Sequence, residues 1–282
     1  MKLATVAIAG RVTWGLVEAD LFYDVGVALR EFYADLKAAI SAGLAGVAEA
    51  RIGAAATPLT ELTWLPVLPN PDKILCIGLN YEMHRQETGR TVVDNPTVFT
   101  RFANSQTGHL APIIRPKVST ELDYEGELAV IIGKSGRYIS RDDAMSHVAG
   151  YSCYNDGSIR DFQRHTHQFA PGKNFPETGA FGPWMMTPDE LGDLSDLSIQ
   201  TRLNGQVVQE ARFSQMIFDI PRQIEYCSSF TRLEPGDVIV SGTPGGVGAK
   251  RTPPLWMKPG DIVEVEVENL AVLRNPIVDE VR

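Results

Sequence analysis

The segment richest in potential chemistry is Asp123-Tyr124-Glu125-Gly126-Glu127, which runs straight into Leu128-Ala129-Val130-Ile131-Ile132. Read as one strand, its period of two sets Asp123, Glu125 and Glu127 on a single face, with successive acidic Cα atoms ~7 Å apart. Like charges so placed repel, and an acidic strand face is ordinarily a solvated one. Here, however, the run feeds an apolar segment that belongs in a core, and acids near a core need a partner or a cation. Donors that are all oxygen select a hard ion, Mg²⁺, Mn²⁺ or Ca²⁺, over zinc. Another carboxylate stands in Tyr154-Asn155-Asp156-Gly157. Between it and Glu127 there is chain enough, through Gly133, Gly136 and a helical turn over 141–146, to leave the first strand and return beside it. Three carboxylates with water leave an octahedral ion open positions for a chelating substrate. Taken alone, Asp156-Gly157 also fits an ordinary turn.

Elements able to position these groups follow from the patterning. Ile74 to Ile77, Leu128 to Ile132, Val148 to Tyr154, Ile199 to Leu203, Val238 to Val240 and Ile262 to Val267 are short, rich in β-branched or aromatic residues, and bounded by Gly, Pro or Asn. Asn204-Gly205 between two such runs is a two-residue hairpin signal. Phe213 to Tyr226 carries Ile217, Ile220 and Ile224 on one helical face, with Pro221 expected to kink or divide it. In the first seventy residues, Leu3 to Ala9 and Thr13 to Val17 read as strands. Val27 to Ile52 holds Leu29, Phe32, Leu36 and Ile40 at helical spacing. Pro58, Pro66, Pro69 and Pro71 mark a boundary near residue 70. The expected organisation is a small N-terminal α+β subdomain over 1–70 and a β-rich catalytic domain over 71–282.

Composition narrows the function. With 282 residues, 44% of them hydrophobic, the chain can bury a sizeable core. A net charge of −9 argues against nucleic acid or an anionic membrane as partner. No apolar run approaches the ~18 residues needed to span a bilayer. The 3 cysteines are widely spaced and form no C-x-x-C pair, which fits a reducing, cytoplasmic home.

Taken in order, several motifs resemble the fumarylacetoacetate hydrolase superfamily over roughly residues 72–282. They are Asp123 through Gly133, Asn155-Asp156 followed by Arg160-Asp161-Phe162-Gln163, Gly172-Lys173-Asn174-Phe175 and Gly182-Pro183-Trp184. Leu203-Asn204-Gly205, Gly242-Thr243-Pro244-Gly245-Gly246-Val247-Gly248 and Leu273-Arg274-Asn275-Pro276 complete the series. The resemblance implies a mixed β-sheet roll around Mg²⁺ or Mn²⁺ held by Glu125, Glu127 and Asp156, in a homodimer. It implies a small 2-oxo acid as substrate, because a divalent ion chelated by the 2-oxo and carboxylate oxygens stabilises an enolate without a proton donor. Lys173 is then expected to neutralise the carboxylates and meet the developing oxyanion. Arg160 and Gln163 are expected to contact substrate, and the Gly242 to Gly248 loop to bring backbone N–H groups and Thr243 against the substrate carboxylate.

Asn80-Tyr81-Glu82-Met83-His84-Arg85-Gln86-Glu87 resembles an NY-x-x-H-x-x-E element of the same superfamily. Positions i and i+3 share a helical face, so Glu87 can hold His84 in one tautomer and raise its basicity. Asn80 as N-cap and Gly89 past the end delimit a short helix suited to a lid, although an isolated H-x-x-E is usually a casual surface pair. His84 is assigned as general base and Glu87 as its partner. Two departures bear on specificity. Arg101 stands where many relatives carry lysine, and a guanidinium there favours bidentate grip of a substrate carboxylate. His165-Thr166-His167 is expected in a polar loop lining the pocket, so the substrate tail would be read by 90–95, Arg101 and 165–168.

The leading expectation is hydrolysis of a C–C bond in an acylpyruvate-like 1,3-diketo acid. The alternative is an oxaloacetate-type decarboxylase or a dienoate isomerase or hydratase. The third is a non-catalytic metal-binding protein, disfavoured by retention of all three carboxylates and Lys173.

Overall fold

In the computed structural model, which describes residues 1–89, 91 and 93–281, the apolar run after Glu127 forms the strand Gly126–Ile132, buried along its whole length. Its alternation serves two cores at once. Leu128, Val130 and Ile132 enter one cluster, and Ala129 and Ile131 enter another. A strand covered on both faces needs no polar alternation, which is why it reads as a continuous apolar run.

This strand sits inside a 12-stranded mixed sheet. On one side it pairs antiparallel with Val148–Asp156, then Gly179–Met186, then the N-terminal strands Lys2–Ile8, Arg11–Glu18, Leu21–Tyr23 and Ala56–Pro58. On the other it pairs with Val238–Val240, which runs parallel to Ile74–Gly78, and Thr97–Arg101 closes that edge. A five-stranded sheet, in the order Gln206–Arg212, Ser198–Leu203, Ile262–Val267, Ala271–Asp279 and Ile113–Arg115, supplies Ile199, Val263, Val265 and Leu273 to the first core. Helices are short and lie outside. The architecture is β-rich α+β, as the patterning predicts. Among the described residues no helix is long and apolar enough to cross a membrane.

The hairpin at Asn204-Gly205 forms with both residues at positive φ, +52° and +79°. Three local expectations need correcting. The helical spacing over 27–52 resolves into three short helices, Val25–Leu29, Leu36–Ser41 and Val47–Ala50, and Phe32 is exposed. Asp24 and Asp35 each cap a new helix, and Gly46 at φ +72° starts the third, so local capping overrides the spacing. Pro221 does not kink a helix. It lies in the first turn of Ile220–Phe230, where its missing N–H costs nothing, behind the N-cap Asp219. Finally, the acidic run is not one strand. It breaks between Leu122–Asp123 and Gly126–Ile132, so Asp123 leaves the face that Glu125 and Glu127 share.

Candidate active site

Register places the acids. Gly126 pairs with Asn155 and Glu127 with Tyr154, and the Asp156 N–H donates to the Glu125 carbonyl at 2.8 Å. One carboxylate oxygen each from Glu125, Glu127 and Asp156 lie within 4.8 Å of one another, all three residues buried. Two side-chain amides hold the strand where its ladder stops. Asn155 Oδ1 accepts the Glu125 N–H, and Gln209 Oε1 accepts the Gly126 N–H, both at 3.0 Å.

The charges are unevenly compensated. Lys173, buried beneath the site, donates through Nζ to Glu125 Oε2 and to Asp156 Oδ2 (2.6 Å). Arg160 Nη2 lies 2.7 Å from Glu125 Oε1. Burial alone would raise the Glu125 carboxyl, yet the attraction of Lys173, then of Arg160, overrides it and holds the group well below the usual carboxylate range. Glu127 has no cation partner among the described residues, only the Gly242 N–H at 2.5 Å. Burial first, then the charges of Asp156 and Glu125, push it far above its ordinary value. Three oxygen donors with one uncompensated acid fit a hard divalent ion, which would supply the missing positive charge.

Arg101 is not in the pocket, contrary to the expected grip on a substrate carboxylate. It is buried behind Asp156, where Nη1 donates to Asp156 Oδ1 (2.5 Å) and the Gly157 carbonyl (3.0 Å). Nη2 reaches Thr178 Oγ1 (2.8 Å), and Nε reaches Ser105 Oγ (3.1 Å). A guanidinium whose fork is spent on the protein has none to offer a ligand. Asp123, likewise fully buried, is no part of the acidic group. It accepts from Arg160 Nε (2.7 Å) and from the N–H groups of Gly248 (2.8 Å) and Ala249 (3.0 Å).

His84 is buried on the helix Glu82–Thr88, with Nδ1 2.6 Å from Glu87 Oε1. Glu87 Oε2 accepts the Gly246 N–H at 2.9 Å, so the dyad is tied to the glycine loop and Nε2 is the ring nitrogen left for the pocket. Gly89, at φ +69°, ends the helix as expected. Asn80 is not its N-cap. Its amide instead bridges the Ser241 carbonyl (2.7 Å) and the Phe218 backbone.

The glycine loop also differs from expectation. Its N–H groups at Gly242, Gly246 and Gly248 serve the protein's own carboxylates, Glu127, Glu87 and Asp123. The Thr243 hydroxyl donates its one proton to the Gly126 carbonyl (3.0 Å) and accepts from Gln209 Nε2 (2.8 Å). It lines the pocket without a hydrogen to give a substrate carboxylate.

A cavity of about 470 Å³ opens over the acids. Glu125, Glu127 and Lys173 face it with His84, Thr243, Arg160 and Gln163, whose Oε1 accepts from Arg160 Nη1 at 2.9 Å. Ile77, Phe99, Phe169 and Val247 form apolar walls, and Thr88, 164–167 and Lys250 also line it. His165 and His167 thus line the pocket as expected, and neither joins the acidic group. Within the 90–95 segment assigned to the substrate tail, Arg90 and Val92 lie outside the described residues. Gln209 and Lys250 escaped the sequence reading, since a lone glutamine on a strand or a lysine after a glycine run carries no signature.

The profile described as fumarylacetoacetate (FAA) hydrolase C-terminal matches residues 73–278. The mitochondrial oxaloacetate tautomerase FAHD2A of Bos taurus is 43% identical over 223 residues, 78% of this chain and 71% of that protein. Among solved structures, the fumarylacetoacetate hydrolase of the psychrophile Exiguobacterium antarcticum superposes with a TM-score of 0.85 at 32% identity, covering 99% of this chain and 100% of that one. Maleylpyruvate hydrolase from Sphingobium sp. SYK-6, in complex with manganese(II) and pyruvate, superposes with a TM-score of 0.83 at 27% identity over 100% of both chains. The match over most of the chain, together with the acidic triad and its setting, makes this protein a member of the fumarylacetoacetate hydrolase family.

Proposed function

We propose that the chain is a divalent-metal-dependent enzyme acting on small 2-oxo acids, and that its reaction is proton transfer at the carbon beside the 2-oxo group, as in keto–enol interconversion of oxaloacetate. The observation that carries this is the His84–Glu87 dyad, locked at 2.6 Å, whose His84 faces the same cavity as Glu125 and Glu127 of the acidic triad. His84 Nε2 takes the proton from carbon, and Glu87 stabilises the imidazolium that results. The proton then returns to oxygen in the enol. A cation held by Glu125, Glu127 and Asp156 would supply Lewis-acid stabilisation of the charge that develops on the 2-oxo oxygen. Lys173 gives two of its three N–H donors to Glu125 and Asp156, which leaves one for substrate. The 43% identity to an oxaloacetate tautomerase supports this reading.

Hydrolysis of an acylpyruvate is the second reading. The cavity of about 470 Å³ favours it, being roomier than a four-carbon acid requires. The same His84 would then activate a water rather than deprotonate carbon.

The test supplies Mn²⁺- or Mg²⁺-loaded protein with the enol of oxaloacetate, and separately with a panel of acylpyruvates, following enol absorbance and products by NMR. Accelerated enol loss without pyruvate identifies tautomerisation. Pyruvate with CO₂ identifies decarboxylation, and pyruvate with a free acid identifies hydrolysis. No acceleration of any of these with either metal would refute the 2-oxo acid reading.

A further inference from the structure

Gly245 and Gly246 stand together in the glycine loop, and two neighbouring residues without a Cβ form the stretch of chain most free to rotate. The candidate base depends on that stretch. Glu87 turns one oxygen to His84 Nδ1 at 2.6 Å and the other to the Gly246 N–H at 2.9 Å, so the loop sets how the carboxylate, and the imidazole beyond it, are aimed. Something outside the loop must therefore fix Gly246. Its carbonyl accepts two donors, the Tyr124 hydroxyl at 3.1 Å and Arg251 Nε at 3.2 Å. Arg251 Nε also donates to the Tyr124 oxygen at 3.0 Å, and Nη2 reaches the Val208 carbonyl at 2.6 Å on the strand Gln206–Arg212. Gly246 is at φ +99°, and a Cβ there would lie 2.4 Å from that same Val208 oxygen. The loop is thus pressed against the second sheet, with a phenol and a guanidinium holding one peptide. On its other side Gly245 packs against the helix that carries His84: a Cβ on Gly245 would meet Met83 Cβ at 3.0 Å and the His84 backbone nitrogen at 3.4 Å. Neither Tyr124 nor Arg251 is among the described residues that line the cavity. Whatever they do for the reaction passes through the loop.

We propose that Tyr124 and Arg251 are positioning residues for the His84–Glu87 dyad: by clamping the Gly246 carbonyl they hold its N–H, and through it Glu87, in line with His84. The inference rests on the reading of His84 as the base that moves a proton at the 2-oxo acid, and it deepens that reading. It also accounts for the tyrosine inside the acidic run. Asp123 accepts from the Gly248 and Ala249 N–H groups, Tyr124 reaches Gly246, and Glu125 turns to the acidic triad. Three successive residues therefore fasten the loop at two points and supply one acid of the triad. A dyad held in this way is aligned before substrate arrives, and misplacing a catalytic group by ~1 Å costs as much as ~100-fold in rate.

Proton NMR of the Mg²⁺-loaded protein reads the dyad without substrate. A short imidazole–carboxylate bond gives the His84 Nδ1 proton a strongly deshielded resonance, assigned by its loss in His84→Gln. Tyr124→Phe, which removes one hydroxyl, and Arg251→Met, which removes the guanidinium, should each move that resonance upfield or broaden it, and the two together should abolish it. Phenylalanine keeps the ring and methionine much of the arginine stem, so both variants retain the packing. On whichever 2-oxo acid is turned over, each variant should lower kcat about tenfold while KM and Mg²⁺ affinity stay within about twofold. The control is Thr5→Val in the N-terminal strands, which removes a buried hydroxyl bond of 2.7 Å to the Val67 carbonyl. It should cost stability and leave both readouts unmoved. An unmoved resonance in both clamp variants, a shift that Thr5→Val reproduces, or a resonance missing from the wild type would overturn the proposal. So would a moved resonance with kcat unchanged, since the dyad would then stand outside the reaction. Wild-type protein inert toward every 2-oxo acid would overturn the 2-oxo acid reading instead, and the resonance would still decide whether the clamp sets the dyad.

Discussion

A single methyl group placed behind the acids should unsettle them. Gly179 lies opposite Asp156 in the register, and a Cβ added there would sit 2.6 Å from Arg101 Nη2, 2.7 Å from Cζ and 2.8 Å from Nε. An ordinary contact is ~3.5 Å, so the guanidinium must retreat by ~0.8 Å. That retreat breaks or stretches contacts now between 2.5 and 3.1 Å. Overpacking alone costs ~1–3 kcal/mol. Outright loss of the buried Arg101–Asp156 pair costs ~3–5 kcal/mol. Gly179→Ala should therefore destabilise by ~2–4 kcal/mol, a fall in Tm of about 4–8 °C for a chain of this size, and it should weaken Mn²⁺ binding because Asp156 loses its alignment. Thermal unfolding monitored by calorimetry, together with an Mn²⁺ titration, reads both effects. The decisive control is Arg101→Met, which removes the obstructed group. In that background the added methyl should cost less than ~1 kcal/mol, since neighbouring mutations of this kind are not additive. A full cost in both backgrounds, or none in either, would refute the assignment of Gly179 as the space that Arg101 needs.

Glu127→Ala or Asp156→Ala should abolish the rise in Tm produced by Mg²⁺ or Mn²⁺, because stabilisation by a ligand follows its affinity for the folded state; an undiminished shift would remove those residues from the metal site. His84→Ala should lower kcat on whichever 2-oxo acid is turned over by at least ~100-fold, with Glu87→Gln falling in between, and Mn²⁺ affinity measured alongside should hold. Near-normal turnover would place the base elsewhere. Asp123→Asn should speed amide hydrogen exchange at both 164–167 and 248–250, since one carboxylate anchors both segments, and a response confined to one of them would contradict that coupling. Thr243→Val should cost ~1–3 kcal/mol in denaturant unfolding by taking the hydroxyl donor from the buried Gly126 carbonyl and leaving Gln209 Nε2 only the Pro244 carbonyl; an unchanged midpoint would count against that network.

What could be read from the sequence was whatever is encoded locally. The apolar run along 128–132, the Asn204-Gly205 turn and the end of a helix at Gly89 all rest on neighbours in the chain, and the fold follows them. Glu125, Glu127 and Asp156 were legible as a set because the first two stand two residues apart at the head of an apolar strand and an antiparallel return brings the third beside them. Arg101 was not legible. A cation on a strand end carries no mark of which face will meet Asp156, and the partners of its guanidinium lie in three other segments. Thr243 failed for a related reason: the proton expected to meet a substrate is spent on Gly126, in an arrangement completed by Gln209 on the other sheet. Over 27–52 the apolar spacing was real, but Asp35 and Gly46 act as local stops that outweigh it.

The face that Ala129 and Ile131 present is closed by side chains from the first fifty residues, Leu3, Trp14, Val25, Leu36 and Ile40 among them, packed with Tyr154, Phe181 and Met185. The leading segment therefore works as a solubility cover for the strands that hold the acids. Removing it would leave a broad oily surface beside a strand edge stripped of its backbone partner at Met185 and Met186, the combination that invites chains to stack on one another. Any replacement for that segment has to reproduce an apolar underside and one pairing strand, while its outer surface remains free to diverge.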